Sequence, residues 1–220
     1  RDVLVKVKAC SICGPDIHIY NSDPVIRDVV ADNEILGHEV CGEVVEVGAE
    51  VRNRAVGEFV ALESHIVCNN CYYCLNGLRR LCRGVQTIGI NRPGGYAEYI
   101  ALPAENAILM PEDISPDIAA CLEPFGNAVD TGLCVPLAGK SVLITGCGPQ
   151  GLMVLAIARA AGARQIIATE VVPFRRKLAE KVLRAHTREG LGKRDMILDP
   201  MEVDTVDRVF DATGGLGVDV

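Results

Sequence analysis

The chain has no surplus of positive charge, no apolar run of membrane-spanning length, no visible secretory leader and no internal repeat or low-complexity tract. Each absence removes a class of function. With 22 Lys and Arg against 29 Asp and Glu, the formal net charge is −7. That argues against a nucleic-acid or anionic-membrane partner, since both are polyanions. The longest apolar run, GLMVLAIARAAG at 151–162, is broken by Arg159 and falls short of the ~20 residues that a spanning helix needs. The chain opens RDVLVKVKAC, without Met and already in a strand pattern, and stops at GLGVDV, strand-like again. It therefore reads as a piece of a longer protein.

What is present is enough for a core: 220 residues, 49% of them apolar, can form one large domain or two ordinary ones. Ten cysteines without a secretory signal point to metal or thiol chemistry rather than disulfides, and to a cytoplasmic setting. Four of them, Cys68, Cys71, Cys74 and Cys82, fall in CNNCYYCLNGLRRLC with spacing C-x2-C-x2-C-x7-C. Thiolates two residues apart can wrap a tetrahedral ion, and four close its shell, which is the make-up of a structural zinc site. An iron–sulfur cluster also takes four thiolates, but tight spacing in a polar loop favours zinc. A disulfide pair or a chance cluster is the bland alternative.

Residues 1–105 read as β-rich. VLVKVKA alternates, while CGEVVEVGAEV, GEFVALES and GGYAEYIALP are short strands near glycines. Residues 106–140 are punctuated by Pro111, Pro116, Pro124 and Pro136 and suggest short helices. From Ser141 strands and helices alternate. SVLITG, QIIATE and DMILD read as strands, with GLMVLAIARAAGA, FRRKLAEKVL and VDTVDRVFDATG as the helices and VDV opening a fourth strand. This is the βαβ rhythm of a doubly wound parallel sheet, giving an α/β chain with domains at 1–110 and 111–220.

SVLITGCGPQG sets Gly146, Gly148 and Gly151 in G-x-G-x-x-G register between a strand and a helix. The first glycine allows the tight turn, the second lets the backbone approach a pyrophosphate, and the third packs helix against strand. Glu170 ends the next strand, where an acid binds the adenosine ribose 2′-OH and repels a 2′-phosphate, so NAD is favoured over NADP. The bland role for Glu170 is capping the next helix. Arg175 and Arg176, close behind, supply positive charge that a phosphate could use. In CLEPFGNAV, Glu123 stands directly before Pro124. An acid and a proline together suit the first turn of a helix, where the dipole favours negative charge.

CSICGPDIH (10–18), LGHEVCGEV (36–44), the four-cysteine loop, CLEPFGNAV and the glycine motif occur in that order. In this arrangement the chain resembles the zinc-dependent medium-chain dehydrogenase/reductase family, and within it the L-threonine 3-dehydrogenase branch. The resemblance covers nearly the whole chain and weakens at LRAHTREGLGKRDMILD, where a shorter turn is expected. It implies a β-rich GroES-like catalytic domain, incomplete here, followed by a truncated Rossmann-type domain. It implies two zinc ions, one catalytic and one structural, with NAD as cofactor and a small secondary alcohol such as L-threonine as substrate. Full-length relatives are expected to be homo-oligomers, tetramers in this branch.

Residue by residue, the resemblance makes Cys13 and His38 ligands of the catalytic zinc. Glu39 becomes an acid that can join or leave the coordination, and Glu123 a carboxylate near or on the metal. His18 matches a proton-relay histidine, or else is packed without titrating. His65 matches a position facing the substrate, or else supports the cysteine loop. Asp16 is expected to position the loop or the zinc environment. Most of Cys10, Cys41, Cys121, Cys134 and Cys147 are expected to be small buried residues, and His186 to be exposed. Pro15 departs from the family, which has Thr or Ser there to pass the substrate proton onward. A polyol or butanediol dehydrogenase, or a non-catalytic zinc- and NAD-binding piece, are the competing readings.

Overall fold

In a computed structural model of the chain, the described residues are 1–24, 30, 34–186 and 194–220. The expected short turn before the third strand of the second domain, and the side chain of His186, lie outside the described residues. The chain divides into two compact units, Arg1–Glu123 and Pro124–Val220.

The first unit is built on five antiparallel strands, β1 (Asp2–Ser11), β2 (Glu39–Val47), β3 (Phe59–Leu62), β6 (Tyr99–Pro103) and β7 (Ala107–Leu109), in the order β6-β1-β2-β3-β7. β4 (His65–Ile66) and β5 (Gln86–Thr87) pair separately. The alternation in VLVKVKA does what its period requires. Val3 and Val5 are buried while their neighbours are partly or wholly exposed, and they join Val40, Val44, Val60, Leu62, Ile100 and Leu102 in one core. Each fully buried aliphatic side chain of this kind contributes about 1.5–3 kcal/mol. Two helices lie between these strands in sequence: α1 (Gly14–Tyr20) follows β1, and the four-residue α2 (Tyr72–Leu75) sits inside the cysteine loop.

This unit runs past the composition shift at residue 110 because the next segment packs on the same sheet. Ala119 and Ala120, at the end of α3 (Pro116–Ala119), are buried with Cys41 and Ala61. Helix α4 (Leu122–Gly132) follows, with Glu123 in its first turn, as the dipole favours.

In the second unit β8 (Ser141–Thr145), β9 (Gln165–Thr169) and β10 (Met196–Leu198) form a parallel sheet in the order β10-β9-β8. Alternate residues feed opposite faces. Val142, Ile144, Ile166 and Ala168 pack against α5 (Pro149–Ala160) and α6 (Pro173–His186) through Leu155, Ala158, Ala179 and Leu183. Leu143 and Ile167 face Val209 and Ala212 of α7 (Thr205–Ala212). Helices therefore cover both faces, and all five residues of the central strand β9 are buried, as a doubly wound parallel sheet demands. Asp204 caps α7, accepting from the N–H groups of Val206 at 2.9 Å and Asp207 at 3.1 Å. The expected fourth strand is present only as an extended run beside β8, whose Leu143 N–H donates to the Val220 carbonyl at 2.9 Å. No helix among the described residues is long and apolar enough to cross a membrane.

The free cysteines depart from expectation. Cys41 and Cys147 are buried, but Cys10 and Cys121 are half-buried and Cys134 is exposed. Cys134 follows the end of α4 on the connection to β8, where no layer covers it.

Candidate metal and cofactor sites

The four-cysteine loop gathers as its spacing implies. Cys68, Cys71, Cys74 and Cys82 offer sulfurs within 4.8 Å of one another. The Cys68–Cys74, Cys71–Cys74 and Cys82–Cys68 sulfur pairs are 4.0, 3.6 and 3.5 Å apart. Four sulfurs about 2.3 Å from a tetrahedral zinc stand roughly 3.8 Å apart, so the set fits that ion. Backbone N–H groups of Cys74 and Arg83 bring the Cys71 thiol down to about 6. Desolvation and then the neighbouring Cys71 and Cys82 sulfurs push Cys74 up to about 12. Some thiols are readied as thiolates by backbone dipoles, while desolvation and hydrogen bonding to its neighbours hold another protonated until a cation neutralises the group.

A second cluster joins Cys13, His38 and Glu39, whose ligand atoms also lie within 4.8 Å of one another. Strand pairing assembles it. Ser11 at the end of β1 is in register with Glu39 at the start of β2, which brings the segments holding Cys13 and His38 side by side. Cys13 is the N-cap of α1, and its N–H donates to Asp16 Oδ2 at 2.9 Å. His38 follows Gly37, which has φ +91°. A Cβ there would strike the Tyr96 ring and the Cys10 sulfur at 2.7–2.8 Å, so only glycine fits.

The cluster is acidic and two of its three residues are buried. His38 and Glu39 are 7% and 5% exposed. Burial, then the hydrogen bond and charge of Glu39, push the Cys13 thiol up to about 12, with Glu123 adding to the effect. His38 Nδ1 and Asp16 Oδ1 face each other at 3.9 Å, both buried without a hydrogen-bond partner. One thiol, one imidazole and one carboxylate form the mixed donor set of an open zinc site, and thiolate ligation would relieve the thiol's raised pKa. The residues fit a divalent cation.

Glu123 is outside this three-residue cluster. Its Oε1 accepts from Ser64 Oγ at 3.1 Å, and its charge is felt by both Cys13 and His65. His65 Nδ1 lies 2.8 Å from Glu63 Oε1 and 3.3 Å from Ser64 Oγ, and the Glu63 carboxylate raises its pKa. His18 is a member of neither cluster, its Nδ1 3.0 Å from Asp23 Oδ2 and its side chain 63% exposed. Ser64, Glu63, Tyr96 and Asn106 escaped the sequence reading. Nothing in ESHIVC marks a serine hydroxyl as aimed at a residue 59 positions later.

In the second unit Gly146 turns the chain with φ +96°, and Gly148 caps α5 in extended conformation. A Cβ on Gly151 would lie 1.9 Å from the Gly146 carbonyl oxygen, so helix and turn touch only because there is none. A Cβ on Gly148 would meet nothing, leaving its backbone open to an approaching anion at the helix N-terminus. Glu170, with its side chain 5% exposed, accepts from Cys147 N–H through Oε2 and Val172 N–H through Oε1, both at 2.9 Å. These bonds, first that from Val172, hold its pKa below the ordinary carboxylate value, and Arg175 Nη1 lies 4.0 Å away. Glu170 therefore braces the glycine turn through the residue between two of its glycines. Each carboxylate oxygen retains lone-pair capacity for a ribose hydroxyl.

Residues 1–112 match the family model of the alcohol dehydrogenase GroES-like domain. The chain is 46% identical over 219 residues to an L-threonine 3-dehydrogenase of Pyrococcus furiosus, covering all of this chain and 60% of that protein. Its fold is similar to that of a short chain alcohol dehydrogenase from Escherichia coli CFT073 complexed with NADH. There the TM-score is 0.80 and the identity 28%, over 97% of this chain and 59% of the other. It is also similar to a protein from Sinorhizobium meliloti 1021 described as a zinc-binding dehydrogenase bound to NADP. That match has a TM-score of 0.81 and 35% identity, over 94% and 56% of the two chains. The chain thus spans about 60% of the length of the curated relative. With a GroES-like unit carrying both cysteine clusters, followed by a glycine-turn parallel sheet, the chain belongs to the medium-chain dehydrogenase/reductase family.

Proposed function

We propose that the chain is part of a zinc- and NAD-dependent dehydrogenase oxidising a secondary alcohol, with L-threonine as substrate and 2-amino-3-ketobutyrate as product. The gathering of Cys13, His38 and Glu39 around one point is the observation that carries this reading. The similarity to L-threonine 3-dehydrogenases supports the substrate. Zinc held by Cys13 and His38 would supply Lewis acidity to a substrate oxygen, and the nicotinamide would supply the hydride acceptor. The rest falls to the protein.

Glu39 and Glu123 are the acids that exchange at, or flank, the open side of the metal. His65, oriented by Glu63, faces the substrate, where a neighbouring carboxylate pair suits an ammonium group. His18 with Asp23 forms the outer end of a proton path. Gly146, Gly148 and Gly151 present backbone to the pyrophosphate, while Glu170 selects the ribose 2′-OH and Arg175 stands at its edge. Cys68, Cys71, Cys74 and Cys82 hold a structural ion. A cytoplasmic homo-oligomer, a tetramer, is the assembly proposed for the full-length protein, without nucleic-acid or membrane partners.

Pro15 favours a second reading, a zinc- and NAD-binding chain without turnover. The two readings separate by experiment. Metal analysis should give two zinc ions per chain, and one in Cys13→Ser. The chain extended to the length of its relatives should oxidise threonine in preference to sorbitol and butane-2,3-diol. A single zinc unchanged by Cys13→Ser overturns the metal site; binding of zinc and NAD without turnover selects the second reading.

A further inference from the structure

Tyr96 belongs to none of the motifs above. Its hydroxyl lies 2.9 Å from Asp16 Oδ2 and 3.1 Å from the Ser11 carbonyl. One phenolic proton cannot serve both fully, and the carboxylate offers the shorter, charge-assisted bond. Asp16 is only 6% exposed, and its oxygens are divided. Oδ2 also accepts from the Cys13 N–H, whereas Oδ1 is left to His38 Nδ1. One carboxylate therefore bonds the backbone of one clustered residue and faces the ring of a second across 3.9 Å.

Resting on the metal-site reading above, we infer that Tyr96 is a positioning residue for the Cys13–His38–Glu39 site. Its hydroxyl pins Asp16 Oδ2, which turns Oδ1 towards His38 Nδ1, fixes that ring's orientation and leaves Nε2 as the nitrogen for the ion. Outer partners of this kind set ligand orientation and basicity. Tyr96 also grips the approach to His38 independently of its hydroxyl. Its N–H donates to the Leu36 carbonyl at 2.9 Å, and its ring packs where a Gly37 Cβ would stand. Removing the hydroxyl alone separates the two contributions.

The test is zinc release from the loaded chain to the chelator dipicolinate, read as a fast phase from the open site and a slow phase from the four-cysteine loop. Tyr96→Phe should speed the fast phase about tenfold, the lower end of the range for such partners because it acts through Asp16. The slow phase should not change. In an Asp16→Asn background, Tyr96→Phe should have no further effect. An unchanged fast phase in Tyr96→Phe, or the same acceleration in both backgrounds, overturns the inference. The Tyr96→Phe result alone decides it where Asp16→Asn does not load. An unaltered chain that releases only one ion overturns the metal-site reading instead, and this inference falls with it.

Discussion

At the scale of single residues, Glu170 carries two duties that pull on one carboxylate. Its oxygens satisfy two backbone N–H groups, one of them on fully buried Cys147, and the functional reading also asks it to bind a ribose. Glu170→Ala should weaken NAD binding roughly ten- to hundredfold and narrow the gap to NADP, the range for a charge-assisted hydrogen bond of about 1.5–3 kcal/mol. Titration of both cofactors checks this, and equal affinity of the unaltered chain for NAD and NADP would refute the assignment. The variant should also unfold more easily, because the Cys147 N–H loses its acceptor. The pH dependence has a definite sign. A carboxyl whose folded pKa lies below its ordinary value of 4.5 adds stability that is fully present above that value. That stability disappears as the pH falls through the lower folded pKa. The stability difference between the two forms should therefore be largest at neutral pH and shrink in acid.

At the scale of elements, the short turn Ala104–Asn106 joins two regions that sequence keeps far apart. On one side Glu105 accepts from Asn69 at 2.6 Å and Arg79 at 2.8 Å, both in the four-cysteine loop. On the other, Asn106, only 4% exposed, donates through Nδ2 to the carbonyls of Glu63 at 2.9 Å and His65 at 3.0 Å. Between those carbonyls lies Ser64, the donor to Glu123. Replacing Asn106 with Ala removes two donors from a buried corner and should cost about 2–3 kcal/mol. Chemical denaturation measures it; an unchanged midpoint would mean that water fills the gap without penalty.

At the scale of the whole molecule, Pro15 matters only where substrate, metal and nucleotide act together. It occupies the start of α1 comfortably, since proline suits the first helical turn, but it brings neither a hydroxyl nor an N–H. On the proposed function, a proton path through a hydroxyl at this position would be cut. Positioned proton transfer contributes ~10²–10⁴-fold. In the chain extended to its relatives' length, Pro15→Thr should therefore raise kcat for threonine by at least about tenfold without altering zinc content. Steady-state rates at several pH values decide it. Equal kcat would show that protons travel another way or that another step limits turnover.

Local order was legible because it depends on period and spacing. Alternation in VLVKVKA, the C-x2-C-x2-C-x7-C loop and the glycine triplet each constrain a few neighbouring residues, and each folds as those constraints require. The four thiols meet because the loop between them is short. Cys13 and His38 were reached only through resemblance. What brings them together is the β1–β2 register, a long-range pairing that no local pattern encodes. The hydroxyls of Tyr96 and Ser64, the Asn106 amide and the bond from Cys147 N–H to Glu170 were invisible for the same reason. Hydrogen-bond partners distant in sequence are chosen by packing, and only the tertiary structure sets that packing.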